Sequence, residues 1–460
     1  MSTSSRPRRA ALNLVFAVAL AACVATTVRA AEPPVDAPEL AAPGPHPVGL
    51  RHISVDVGAV PDIDAMAAGR AAASTPRRLE ALLWYPAAAT VATAPGAAAP
   101  RLERELRNHA WRGWAVSSLR VSQPSAAWPD AAPATAAAAG ARLPVVVFSH
   151  CMLNWADLLS DLAEHLASRG YVVLALQHED ERHADPLRAA LALRAVDQAA
   201  ALRTVEQLDA SAADPLHQRL QAGRVAIVGY SMGGYGALLS AGARLADDGA
   251  AFRYAPAAAM QRHAAPLAGA DAALSARVAA VVAFAPWGAQ PAFGAFKPAG
   301  LRTLTVPTLL VAGDADDISG YGDGTRAIWD SLSGAPRALL TYENARHNIV
   351  QNALPAGLPA GFRSWENLEE PVWRRERLLA INRHFVTAFL DARLRGDAAS
   401  EKWLRLATVR SNDGAWPVPF GTPASAQFAG PAQGAVTHWT GFQRRWALGL
   451  KLEWREPASR

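Results

Sequence analysis

A serine becomes a useful nucleophile only when its hydroxyl is held clear of the backbone and given a base. The segment Arg224-Val-Ala-Ile-Val-Gly-Tyr-Ser-Met-Gly-Gly-Tyr-Gly236 has the residue types for the first condition. An apolar run with the character of a buried strand, Arg224 to Val228, leads into Gly229-Tyr230-Ser231-Met232-Gly233, and a helix is expected to open near Gly233. Ser231 would then occupy a strained strand-to-helix corner, where Gly229 and Gly233 avoid the collisions that a Cβ would cause. The helix aims its first amides at the same place, so the Met232 amide is expected to face negative charge developing on a substrate oxygen. The competing reading is a glycine-rich turn carrying an inert serine.

The second condition calls for an imidazole held by a carboxylate, in chain order serine, acid, histidine. Downstream, the run Thr305 to Val311 ends in Ala312-Gly313-Asp314-Ala315-Asp316-Asp317, three carboxylates just beyond an expected strand. The next apolar run, Ala338 to Tyr342, leads into Glu343-Asn344-Ala345-Arg346-His347-Asn348, so His347 is the expected general base. His263 precedes the acid segment, and His384 lies in a helical pattern with Phe385 and Phe389 that suits a core residue. Spacing alone leaves Asp314, Asp316 and Asp317 open as the orienting acid.

These loops need a scaffold. Short apolar runs recur at Pro144 to Phe148, Tyr171 to Leu176, Arg224 to Val228, Val278 to Phe284, Thr305 to Val311 and Ala338 to Tyr342, and their near-continuous apolarity indicates strands covered on both faces. Between them, Trp155, Leu158, Leu159, Leu162 and Leu166 follow helical spacing with Gly170 as a stop, and Leu187 to Leu208 is a second helical pattern. Strand and helix in alternation predict an α/β protein with a doubly wound, mostly parallel sheet, whose function collects beyond the carboxyl ends of the strands. His52 to Val57 and Leu79 to Tyr85 read as earlier strands, while 87–100 and 126–140 read as Ala/Pro-rich loops.

At this point the chain resembles the α/β-hydrolase superfamily, and within it the dienelactone-hydrolase-like and platelet-activating-factor-acetylhydrolase-like esterases. The resemblance rests on Trp84-Tyr85-Pro86, Phe148-Ser149-His150, the Ser231 corner, Gly313-x-x-Asp316 and His347, and spans roughly Arg78 to Gly396. It implies an α/β-hydrolase fold, Asp316 as the acid and the amides of Met152 and Met232 as the oxyanion donors. One departure stands out: the family usually has glycine after the histidine, and here the residue is Cys151. A thiol beside His150 is an alternative nucleophile on paper, but the corner already supplies a better-placed one. His150, Cys151, His178, Tyr230 and Trp287 are candidate substrate-pocket residues, His178 and Trp287 being equally explicable as packing. One mature cysteine and scattered histidines show no zinc-ligand spacing, so no metal or cofactor is expected.

Around this unit, residues 1–30 read as an export signal. Arg6, Arg8 and Arg9 precede an apolar run from Ala10 to Ala22, too short to span a bilayer permanently. Leu20-Ala21-Ala22-Cys23 has the form of a bacterial lipobox that would leave Cys23 lipid-modified, whereas Val28-Arg29-Ala30 suits an ordinary signal peptidase. The expected location is periplasmic, outer-membrane-anchored or secreted. With Cys23 and Cys151 the only cysteines, no intramolecular disulfide survives either cleavage. The formal charge of +5 is largely an N-terminal effect: 45 basic residues less Arg6, Arg8, Arg9 and Arg29 leave 41 against 40 acidic ones, which disfavours nucleic-acid binding. The remaining organisation is expected as a linker over 31–50, the hydrolase domain over 51–404 with a lid insertion at 243–276, and a Trp-rich extension over 405–460 that packs back on it.

The whole predicts an exported serine carboxylic-ester hydrolase acting on small-molecule or lipid esters, with membrane contact only through an N-terminal lipid. Two alternatives stay open. One is a peptidase or amidase on the same three residues; the other is an inactive binding protein that keeps the fold.

Overall fold

The computed structural model describes residues 34–88, 101–107, 118–134, 142–417, 434–443 and 447–458. The expected export signal and Cys23 lie outside the described residues. Twelve strands are described: β1 (Val48–Pro61), β2 (Ser74–Pro86), β3 (Arg101–Arg107), β4 (Ser118–Pro124), β5 (Ala127–Pro129), β6 (Leu143–Ser149), β7 (Val172–Leu176), β8 (Leu220–Tyr230), β9 (Val278–Phe284), β10 (Thr308–Gly313), β11 (Arg337–Tyr342) and β12 (Leu450–Arg455). Ten form one sheet in the order β12-β11-β10-β9-β8-β6-β7-β2-β1-β5, while β3 and β4 pair as a separate antiparallel hairpin. Within the large sheet the central run from β11 to β7 is parallel, and β12, β2 and β1 join antiparallel at the flanks.

The described helices are α1 (Ile63–Ala67), α2 (Ser160–Ser168), α3 (Pro186–Ala210), α4 (Met232–Ser240), α5 (Ala257–Ala264), α6 (Gly269–Ser275), α7 (Pro298–Leu301), α8 (Ala327–Ser331), α9 (Phe362–Leu368) and α10 (Arg375–Leu390). Along the regular stretches of strand the sheet residues divide by parity, because successive side chains of a strand point to opposite faces. Val146 and Phe148 join the core beneath α2 and α10, whereas Val145 and Val147 join the core beneath α3 and α4. A strand apolar at every position thus serves two cores at once, the physical reason for the unbroken apolar runs. This is an α/β-hydrolase-type architecture. Its chain crosses from one side of β6 to the other between β7 and β8, so the topological switch point, where sheets of this kind place their ligands, lies at the carboxyl ends of β6 and β8.

Several local expectations are revised. β10 starts at Thr308 rather than Thr305, because Pro307 has no amide to give the ladder. Residues Ala127–Pro129, expected inside a loop, form β5 alongside β1. The stretch expected as a linker is anchored where it is described: the Leu40 amide donates to His384 Nδ1 at 3.2 Å, and Gln443 donates to the Ala37 carbonyl at 2.9 Å. Segment 243–276 carries α5 and α6 and buries Met260 against the α3 side of the sheet, with His263 Nε2 donating to the Ala192 carbonyl at 2.9 Å. In the tail, β12 extends the sheet beyond β11 and Trp439 is fully buried.

Candidate active site

β8 ends at Tyr230 and α4 begins at Met232, leaving Ser231 alone on the corner with φ 54° and ψ −113°. For a residue with a side chain that conformation costs on the order of 1–3 kcal/mol. It persists because the neighbourhood fixes it: the Ser231 amide donates to the Phe284 carbonyl at 2.8 Å, and the Ser231 carbonyl accepts from Tyr235 at 3.0 Å and Trp287 at 3.2 Å. A Cβ on Gly229 would lie 2.2 Å from the Gly233 carbonyl oxygen, and one on Gly233 would lie 1.9 Å from that of Ser149. Both glycines are therefore required by close backbone approach, and the second approach brings the end of β6 against the corner. Ser231 supplies no side-chain cap to α4, so the first amides of that helix are left for another acceptor.

Opposite this corner, Asp316 follows β10 and His347 follows β11. His347 Nδ1 lies 3.0 Å from each carboxylate oxygen of Asp316. The Ile318 and Ser319 amides each donate to Asp316 Oδ1 at 2.9 Å. Burial would raise the Asp316 carboxyl, but His347 and these two amides outweigh it and hold the group below the ordinary carboxylate range. The charged partner fixes the tautomer, with the proton on Nδ1 and Nε2 free to accept. The three carboxylates left open by spacing have separate partners: Asp314 accepts from the Asn344 amide at 2.6 Å, and Asp317 pairs with Arg346 at the surface. A Cβ on Gly313 would sit 2.2 Å from the Ala345 carbonyl oxygen, so the loops after β10 and β11 are pressed together.

Tyr230 joins the two halves. Its hydroxyl donates toward the His347 carbonyl at 3.2 Å and Asn348 Oδ1 at 3.1 Å, and its ring lies 5.2 Å from the His347 imidazole. The histidine loop is thus anchored to the residue preceding Ser231. Ser231 Oγ and His347 Nε2 have no partner among the described residues; both groups are nearly buried, Ser231 being 5% exposed.

The loop after β6 carries Met152, whose amide likewise has no acceptor among the described residues. The candidate pocket residues beside it prove to be packed inward. His150 and His178 are buried, His178 being 1% exposed with Nε2 2.7 Å from Ser149 Oγ and Nδ1 2.9 Å from Asp197 Oδ2. Burial, reinforced by Arg194, pushes both imidazoles well below their usual range, so both are neutral. Cys151 is buried and receives a contact from Asn154 Nδ2. Trp287 packs edge-on against Tyr235 with centroids 5.9 Å apart and tilts against Phe293 at 4.8 Å. His263 and His384, the alternative bases, are buried elsewhere. Among the described residues no cluster of three or more His, Cys, Asp or Glu side chains could hold a metal.

Sequence reasoning missed the α3 contribution. Arg194 and Asp197 sit on the buried stripe of that helix, and the signal was there in the sequence: two charges three residues apart, flanked by Leu191, Ala201 and Leu202. A cavity of about 540 Å³ adjoins the same loop, lined by Asn154, Trp155, Gln177 and Glu179 and by Arg104 of the β3–β4 hairpin.

Compared with known proteins, residues 105–265 match the family described as PET hydrolase-like, or PETase. The matched span holds the Met152 loop, α3 and the Ser231 corner, and ends before Asp316 and His347. No curated protein matches the chain.

Proposed function

We propose, from the premise that this chain is an α/β-hydrolase-fold enzyme acting on ester bonds, that Ser231 is its nucleophile, His347 the general base and Asp316 the acid that orients it. Ser231 Oγ attacks the ester carbonyl as His347 Nε2 takes its proton, and the amides of Met152 and Met232 receive the oxyanion. His347 then protonates the departing alkoxide, leaving an acyl-enzyme, and returns as base to a water that releases the acid. The observation that carries this reading is the strained Ser231 corner tied through Tyr230 to a buried imidazole–carboxylate pair.

Short-acyl, acetylated-phospholipid, sugar and polymer esters are the proposed substrate classes, the family match favours the polymer esters among them, and a panel varying acyl length and leaving group separates them. Segment 243–276, which brings Tyr254 against Phe293 beside Trp287, is the proposed specificity region. The protein is proposed to be exported, with Cys23 as a lipid anchor if the lipobox is cut, which the mass of the mature N-terminus decides. The catalytic assignment is tested by labelling with a fluorophosphonate. The wild-type protein is expected to react once, at Ser231, and a folded Ser231→Ala variant not at all; a wild type that stays unlabelled rejects the assignment.

A further inference from the structure

Behind the Met152 loop lies a second serine, histidine and aspartate in triad order of contact: Ser149 Oγ to His178 Nε2 at 2.7 Å, and His178 Nδ1 to Asp197 Oδ2 at 2.9 Å. Ser149 is 0% exposed and Asp197 1%, so no substrate reaches this set. Arg77 closes its far end, donating through Nε and Nη2 to Asp197 at 2.8 and 3.0 Å and through Nη2 to the His178 carbonyl at 2.6 Å. With the carboxylate on Nδ1, the His178 proton sits there and Nε2 accepts from Ser149. The imidazole is therefore fixed at both nitrogens and its backbone at the carbonyl.

The chain of contacts then runs forward. The His178 amide donates to His150 Nε2 at 3.1 Å, which forces the His150 proton onto Nδ1, and Nδ1 lies 2.6 Å from the Cys151 carbonyl oxygen. Arg194 adds donors to the same carbonyl at 3.4 Å and to the His150 carbonyl at 3.0 Å. The Cys151 carbonyl and the Met152 amide belong to one planar trans unit and point in opposite directions, so holding the oxygen aims the N–H. The next peptide is held as well: the Leu153 amide donates to Asp180 Oδ2 at 2.8 Å, Asp180 is paired with Arg194, and Leu153 is locked at φ 62°.

We propose that His150 and Arg194 are positioning residues that aim the Met152 amide at the oxyanion, with the buried Ser149–His178–Asp197 relay holding His150 in the required tautomer and place. This role rests on the catalytic reading given above. It also accounts for Cys151 where the related esterases have glycine: the direction of the following amide is set by external donors to its carbonyl.

The test is steady-state hydrolysis of p-nitrophenyl acetate by His150→Phe and Ser149→Ala, with kcat expressed per site counted by fluorophosphonate labelling taken to completion. His150→Phe is expected to lower kcat per site by about 10²-fold, the loss of one oxyanion donor, with KM changed less than about twofold. Ser149→Ala, which removes one hydroxyl and keeps the backbone, is expected to lower kcat by about tenfold in the same pattern, and it decides the matter if His150→Phe does not fold. Values of kcat per site within about twofold of wild type, or a loss carried entirely by KM, would overturn the role. A wild type that does not label at Ser231 would instead overturn the catalytic reading, and this positioning role with it.

Discussion

The proposed nucleophile and the carboxylate proposed to orient its base are held by opposite means. Ser231 is kept in an unfavourable backbone conformation by hydrogen bonds to its amide and carbonyl, whereas Asp316 sits relaxed among donors. Asp316→Asn keeps the size of the side chain but removes the charge that fixes the His347 tautomer, so kcat is expected to fall by about 10³-fold or more while thermal unfolding moves little. Ser231→Gly relieves the strain at φ 54°. It is expected to raise stability by about 1 kcal/mol, read as a higher urea midpoint at unchanged m, while abolishing turnover. A lower midpoint for Ser231→Gly would show that the corner is not strained.

At the scale of elements, the link between β4 and β5 is pinned to α2 by one carboxylate. Ser125 Oγ donates to Glu164 Oε1 at 2.6 Å and the Ala126 amide to Oε2 at 2.8 Å. Burial nonetheless raises the Glu164 carboxyl to about 7, because two neutral donors do not replace the water it loses. The sign follows from proton linkage. Between the ordinary glutamate value and about 7 the folded chain binds more protons at this site than the unfolded one, so this group's contribution to stability falls as pH rises through that window. Glu164→Gln removes the titration, and its unfolding free energy measured from pH 4.5 to 7.5 is expected to lose that part of the slope. An unchanged slope would mean the carboxyl is solvated in the folded protein.

For the molecule as a whole, the two ends of the described chain close one side of the sheet. Pro34 to Ala41 lies against α10 and the tail, and β12 covers the β11 edge, with Trp439 and Phe442 packed on Phe385. Removing residues 447–460 strips β12 and leaves β11 as a bare edge of buried-type residues. That variant is expected to self-associate, seen as concentration-dependent light scattering, while a chain that stays monomeric would show that the edge is protected by other means. Trp439→Ala leaves a cavity instead of an edge, and is expected to cost about 3–5 kcal/mol without promoting association.

The local pattern by itself determined the parallel sheet and the corner at Ser231. Continuous apolar runs state that both faces are covered, and glycines two residues either side of a serine state that the backbone passes too close for a Cβ. Both are local properties that a short stretch can express. What only the tertiary structure decided is the pairing of side chains far apart in the chain. Three carboxylates within four residues are equivalent until the β10 and β11 loops meet and give Asp316 the imidazole, Asp314 a turn amide and Asp317 a surface arginine. His150 and His178 beside the Met152 loop suggested a pocket, yet they face inward because Arg77, Arg194 and Asp197 arrive from β2 and α3 to satisfy them. A charge on a buried helical stripe can be noticed in the sequence. Its partner cannot, since a hydrogen bond between separate elements, such as that of Arg77 to Asp197, depends on how the elements pack.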